Sequence, residues 1–316
     1  MDGPTLVTGA AGFVGGHLID LLGARGADVV AWYRSGGTAP PGATSSSHVT
    51  WQAVDLLDAA HVRREIADLR PAAVYHCAGA AHVGLSWGDA ARTLAINVRA
   101  THNLLDGLRR AKVSAKVIIP SSAMVYAPAD RALAEDDPLI PRSPYALSKL
   151  AQEMEGIRAI GDGLGVTIAR AFNHMGPRQD PHFAASGFAR RIADIEAGRW
   201  EPEIAVGNLD AQRDLTDVRD TIRAYTSILE RGIPGRPYNV CSGRAITIRE
   251  VLDRLLARAR VPVRIRVDQA RLRPNDVPLM LGNPARIQAE LGWSPDIPLD
   301  QTLDDLLNDW RARSKA

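Results

Sequence analysis

Lysine is nearly missing from this 316-residue chain: it occurs only at Lys112, Lys116, Lys149 and Lys315, and arginine supplies the rest of the fixed positive charge. A lysine inside a motif is therefore a less routine choice. Cysteine is scarce too. Cys77 and Cys241 sit in apolar surroundings, with no CxxC or Cys/His cluster, which argues against a metal site and for two buried thiols in a reducing compartment. There is no long basic run, and the net charge is only +2, so a nucleic-acid footprint is not expected. No apolar run is long enough to span a bilayer, and Met1-Asp2-Gly3-Pro4 lacks the basic start of a signal peptide. These absences predict a soluble cytoplasmic protein without a metal or a membrane contact. Its hydrophobic content of 46% is ordinary, and its length suits one large domain or two ordinary ones.

Residues 5–8, 29–33, 49–54, 73–77 and 117–121 are short apolar runs, with helical patterns at 15–25, 59–69 and 97–112 between them. Strands apolar almost throughout suit a parallel sheet covered on both faces. The rhythm predicts an α/β protein with a Rossmann-type doubly wound sheet and right-handed crossovers. Residues 166–170 read as a sixth strand, after which short segments rich in proline and arginine run from 173 to about 236. A return to the sheet is expected at 238–241, an amphipathic helix at 248–258 and a closing helix near 299–311. The division expected is a dinucleotide-binding domain over 1–170, returning near 238–260, and a smaller substrate-binding lobe drawn mainly from 171–316. Residues 35–48, rich in Gly, Pro and Ser, read as a surface loop.

The stretch TLVTGAAGFVGGHL sets Gly9, Gly12 and Gly15 between the first strand and the first helix, with Phe13 and Val14 at the helix start. Glycine permits the tight turn and lets the backbone approach a pyrophosphate at the helix N-terminus. An acid ending the second strand would bond a ribose 2′-hydroxyl and favour NAD, but VVAWYRSGG has none. Arg34 and Ser35 stand there instead, a cation and a hydroxyl suited to a 2′-phosphate, so NADP(H) is expected, with NAD the alternative. Asp55, in VDLLD, is placed to accept from the adenine amino group, or else to cap the helix starting near Asp58; Leu56 and Ala78 are expected beside the same cofactor.

In PSSAMVY two hydroxyls, Ser121 and Ser122, are followed by Ala123 and Met124, neither of which can move a proton. In RSPYALSKLAQE, Ser143 can cap a helix and Pro144 suits its first position. Tyr145 and Lys149 then lie four apart on one helical face. An ammonium near a phenol favours the phenolate, so Tyr145 is expected to be acidified. Ser122, Tyr145 and Lys149 form the candidate catalytic set.

With these motifs the chain resembles the extended short-chain dehydrogenase/reductases that act on nucleotide sugars. The likeness covers nearly the whole chain: TGAAGFVGGHL, HCAGAAHVGLSW, INVRATHNLL, SSAMVY, YALSK, ARAFNHMGP, QRDLTDVRD and RPNDVPLMLGNPARIQAELGW. The last three look most like the branch of GDP-mannose 4,6-dehydratase and GDP-4-keto-6-deoxy-D-mannose reductase. The resemblance implies that Ser122 polarises the sugar C4 oxygen, Tyr145 transfers its proton, and Lys149 holds the nicotinamide ribose. It implies that Asn173 holds the substrate diphosphate or sugar, Arg213 and Arg273 clamp the diphosphate, and Asp276 accepts from the nucleoside ribose. Phe188, in HFAASGFARRIADIE, is expected near the nucleoside. The family's dehydratases carry an acid pair directly after the Ser/Thr. Ala123 and Met124 in those places imply ketone–alcohol redox without elimination of water. The expected reaction is NADPH-dependent reduction of GDP-4-keto-6-deoxy-D-mannose to GDP-D-rhamnose. The alternatives are an NAD-dependent 4-epimerase of UDP- or GDP-sugars, a dehydratase, and an idle dinucleotide sensor. Helices 97–112 and 145–160 resemble the family's dimer-forming pair, so a homodimer or a tetramer is expected.

Overall fold

The computed structural model describes residues 3–37, 48–271 and 277–314. Its strands are β1 (Thr5–Thr8), β2 (Val29–Tyr33), β3 (Val49–Ala53), β4 (Ala73–His76), β5 (Lys116–Ser122), β6 (Gly165–Ala171), β7 (Asn173–Met175), β8 (Glu203–Val206), β9 (Gln212–Asp217), β10 (Pro237–Val240), β11 (Ala245–Thr247), β12 (Arg264–Val267) and β13 (Leu279–Met280). Its helices are α1 (Phe13–Ala24), α2 (Ala59–Leu69), α3 (Val83–Ser86), α4 (Ala90–Leu94), α5 (Ala100–Arg110), α6 (Pro144–Ile160), α7 (Ala184–Glu196), α8 (Val218–Arg231), α9 (Ile248–Leu256), α10 (Ala285–Leu291) and α11 (Leu299–Arg313).

Seven strands form one parallel sheet in the order β10-β6-β5-β4-β1-β2-β3. Side chains alternate across it, as a pleated strand requires. From β5, Ile118 joins Leu18, Leu22, Ile222 and Ile228 of α1 and α8 on one face. Val117 and Ile119 join Ile66, Leu104, Leu108 and Ala159 of α2, α5 and α6 on the other. The chain builds outward through β2 and β3, then crosses back to start β4. Neighbours β1 and β4 therefore part at their C-terminal ends, the place where such sheets bind ligands.

The second lobe packs α7, α9 and α11 around Ile192, Leu252 and Leu306. Its strand β9 pairs with β7, β11 and β13. A small cluster of Ala123, Tyr126, Phe172, Cys241 and Met280 joins the lobes. Among the described residues no helix is long and apolar enough to cross a membrane.

Two stretches differ from the sequence-based expectation. The irregular run expected over 173–236 contains two full helices. Helix α8 starts where the Asp217 carboxylate accepts from Arg219 N, and its buried residues include Val218, Ile222, Tyr225 and Leu229. Arginines between them break up the apolar run without disturbing its helical spacing. This helix packs on the first lobe's sheet, not in the second lobe. The helix expected over 97–112 instead follows α4 through a π-helical turn at Ala95–Arg99 into α5. That wide turn holds Asn97, whose amide brackets the Ala80 backbone, accepting from its N at 2.7 Å and donating to its O at 3.2 Å. Most of the loop expected at 35–48 lies outside the described residues.

Candidate active site

The C-terminal ends of five adjacent strands bring the sequence-marked residues to one edge of the sheet. Gly9 follows β1, Arg34 and Ser35 follow β2, Asp55 and Leu56 follow β3, Ala78 follows β4, and Ser122 ends β5. Gly9 adopts φ +66°, and a Cβ there would stand 2.6 Å from Ala78 N. A Cβ on Gly15 would stand 2.2 Å from the Gly9 carbonyl oxygen. Only glycine fits either position. Gly12 begins α1 without a side-chain cap, and no acid occupies the first turn. The first N–H groups of that helix, at Phe13 and Val14, are thus available to an anion. This cradle fits a dinucleotide pyrophosphate.

Arg34 and Ser35 are exposed, and Arg34 has no charged partner among the described residues. Asp55 is also exposed, its carboxylate accepting from Leu57 N at 2.9 Å. The cap of α2 is Asp58, which accepts from Ala60 N and His61 N at 3.0 Å, so Asp55 is not the cap of that helix. Leu56 is half-buried. His17 is an anchoring side chain, with Nε2 at 2.9 Å from Pro177 O. Phe13 stacks on His174, so the glycine turn abuts β7 of the second lobe.

Ser143 caps α6 by accepting from Ala146 N at 3.1 Å, with Pro144 next, a contact of about 1 kcal/mol. Tyr145 N is held by Ser86 Oγ at 3.2 Å. The Tyr145 phenol lies beside the Ser122 side chain. Burial raises the Tyr145 pKa, and Ser122 pulls it down without overcoming burial. This corrects the expected acidification. Lys149 directs its ammonium to Gln152 Oε1, and its own pKa is lowered to about 8 by burial, against the opposing pull of the Glu153 carboxylate. The phenol thus remains a proton donor at neutral pH.

The other serine of the pair, Ser121, points to the opposite side and donates to Glu153 Oε1. Ser121 is in register with Arg170 on β6, so both face α6. Arg170 grips Glu153 through Nη2 at 2.9 Å and Nε at 3.1 Å. Its Nη1 donates to Tyr126 Oη at 3.1 Å and to Glu135 O at 2.9 Å. Tyr126 Oη in turn donates to Asn239 Oδ1 at 2.7 Å. This ion pair is almost wholly buried, and sequence reasoning missed it. Its one available signal was Glu153, four residues beyond Lys149 on the same helix. The buried acids of this network are committed, Glu153 to Arg170 and Ser121, and Glu135 to Asn239 N at 2.9 Å. Ala123 is buried, and with Met124 it leaves that turn without a carboxylate.

Of the residues expected to hold substrate, Asn173 is exposed at the start of β7. Arg213 lies on β9, with Nη1 bonded to the Gln212 and Val277 carbonyls at 2.8 Å. Phe188 is half-buried on α7 against the second lobe's core. Arg273 and Asp276 lie outside the described residues.

A family model described as GDP-mannose 4,6 dehydratase matches residues 6–306. The chain is 37% identical over 317 residues to the GDP-6-deoxy-D-mannose reductase of Pseudomonas aeruginosa, covering 97% of each. Among solved structures it is similar to RMD from Pseudomonas aeruginosa complexed with NADPH, with a TM-score of 0.83, 34% identity, and 98% and 99% of the two chains covered. It is also similar to the UDP-glucose 4-epimerase of Thermus thermophilus in complex with NAD, with a TM-score of 0.85, 28% identity, and 98% and 99% covered. With a glycine cradle at the sheet's switch point, a Ser–Tyr–Lys set beside it and a family match over almost its full length, the chain belongs to the GDP-mannose 4,6-dehydratase family of extended short-chain dehydrogenase/reductases.

Proposed function

We propose that this protein reduces the C4 ketone of a nucleotide-linked 4-keto-6-deoxy sugar, converting GDP-4-keto-6-deoxy-D-mannose to GDP-D-rhamnose at the expense of NADPH. The broader class, an NAD(P)-dependent oxidoreductase of nucleotide sugars, follows from the family and from the relatives at 37% and 34% identity. One observation carries the finer reading: the Ser122–Tyr145 hydroxyl pair is set at the end of β5 with Ala123 and Met124 where elimination would need acids. A bound reduced nicotinamide supplies the hydride. Ser122 donates to the C4 oxygen, and Tyr145, kept protonated by burial, gives its proton as that oxygen becomes an alcohol. Lys149 holds the nicotinamide ribose. Arg34 and Ser35 bind the 2′-phosphate. Gly9, Gly12, Phe13, Val14 and Gly15 hold the pyrophosphate, and Asp55, Leu56 and Ala78 border the adenosine half. Asn173, Phe188 and Arg213 face the nucleotide sugar from the second lobe.

The test is direct. Purified protein mixed with NADPH and the 4-keto sugar consumes the reduced cofactor. No consumption, together with NAD released on denaturation, would replace the reductase by a 4-epimerase. That second reading draws on the NAD-bound epimerase neighbour, because the same three side chains serve oxidation and re-reduction at C4. We also propose a cytoplasmic homodimer joined through α5 and α6, supported by exposed Leu147, Met154 and Ile157 on α6. Sedimentation as a monomer at micromolar concentration would end that part of the proposal.

A further inference from the structure

Behind Lys149 a chain of hydrogen bonds runs across the first lobe to β1. Gln152 takes the Lys149 ammonium on Oε1, and its Nε2 donates to Thr101 Oγ1 at 2.8 Å. Thr101 spends its one hydroxyl proton on the Asn97 carbonyl at 2.6 Å. It must therefore accept from His76 Nε2, at 2.8 Å. His76 thus carries its proton on Nε2, and Nδ1 accepts from Thr8 Oγ1 at 2.8 Å. Thr8 Oγ1 in turn accepts from Ala78 N at 3.2 Å. Thr8, His76, Thr101, Gln152 and Lys149 are all buried. Each donor and acceptor has one consistent direction, so the chain is a fixed scaffold rather than a proton wire.

Resting on the role of Lys149 proposed above, we infer that Gln152 is a positioning residue for that lysine: it fixes the ammonium in place and favours its charged form, and Thr101, His76 and Thr8 tie it to the strand that feeds the glycine turn. A neutral amide suits this place. Glu153, one residue on, is already claimed by Arg170 and Ser121, and a second carboxylate would be left unpaired whenever Lys149 lost its proton. The ionisable groups around Lys149 are Tyr145 and Glu153 on its own helix, His76 and Cys77 at the end of β4, and Arg170 on β6 behind Glu153. Burial lowers the His76 pKa to about 3, and Lys149 adds to that, so the imidazole stays neutral while the lysine titrates.

The experiment is the pH dependence of kcat/KM for the 4-keto sugar with NADPH, with melting temperature as a folding control. Gln152→Met keeps the length of the side chain and loses the acceptor. Its alkaline limb should move about one unit toward lower pH, a loss of about tenfold above the limb. Gln152→Glu should move the limb the opposite way. Thr101→Val should shift it in the Gln152→Met direction by less, Thr101→Ser should restore it, and this pair decides the matter should Gln152→Met not fold. Activity lost uniformly across pH, with the limb unmoved in both Gln152→Met and Thr101→Val, would make Gln152 a packing residue and overturn the inference. Lys149→Met is the reference. If it keeps full turnover, the role of the lysine fails first and takes the inference with it; if it is inactive while the limbs stay fixed, only the inference fails.

Discussion

The two sides of the β5–α6 junction are built on opposite principles. Toward the cleft stand two neutral hydroxyls, Ser122 and Tyr145, beside a lysine whose proton is weakly held. Toward the interior, one strand position earlier, Ser121, Glu153, Arg170, Tyr126 and Asn239 form a dense ionic network. The contrast teaches how such a site keeps a phenol protonated. The ion pair is placed in the layer behind, where it is fully paired and fixes geometry, while on the cleft side burial keeps the phenol protonated. A carboxylate on the cleft side would raise the phenol pKa further and make its proton harder to give up, while one on the buried side holds the helix to the sheet.

The contrast can be broken at several points. Tyr145→Phe should lower turnover by about 10² to 10⁴, while leaving nucleotide affinity and thermal unfolding nearly unchanged. Full activity in this variant would move the proton donor elsewhere. Arg170→Met strands Glu153 in the interior and should destabilise the fold by about 3–5 kcal/mol by denaturant titration. The serines separate the two sides most sharply. Ser121→Ala removes a bond to a charged carboxylate and should cost about 1.5–3 kcal/mol of stability with little change in kcat. Ser122→Ala should do the reverse, and identical profiles for the two would erase the distinction.

The acid–base side is subtler. Lys149 is protonated below its lowered pKa and loses its charge above it, so kcat/KM should fall as pH rises through about 8. A profile flat to pH 10 would mean that the ammonium is not required. Smallest is Arg34→Ala, which should weaken NADP(H) by about tenfold and NAD hardly at all, measured by fluorescence titration. Equal weakening of both would remove the 2′-phosphate contact.

Much of this was legible before any coordinates. Glycines at a strand–helix turn, six short apolar strands and a Tyr–Lys pair four apart each carry a local geometric requirement that survives folding. Helix boundaries at Ala59–Leu69 and Leu299 agree with the pattern because Asp58 caps the first and Pro298 precedes the second. The residues that were not legible owe their roles to distant partners. Arg170 looks like one more arginine in an arginine-rich chain until β6 is set beside β5. Thr101 and His76 acquire meaning only when α5 is laid over β4. The acidity of Tyr145 is hidden for the same reason: spacing gives the distance to Lys149 along the helix, but not the depth of burial or where the lysine turns.

The alternation along β5 has a consequence for how the enzyme can change. Ser121 and Ser122 are chemically identical and adjacent, and the pairing of Ser121 with Arg170 locks which is which. A single-residue insertion upstream in the strand would carry Pro120 into the place of Ser121 and Ser121 into the place of Ser122, and every side chain of the strand would trade faces. The strand that presents Ser122 to the cleft is therefore closed to length variation, whatever changes are made by substitution elsewhere.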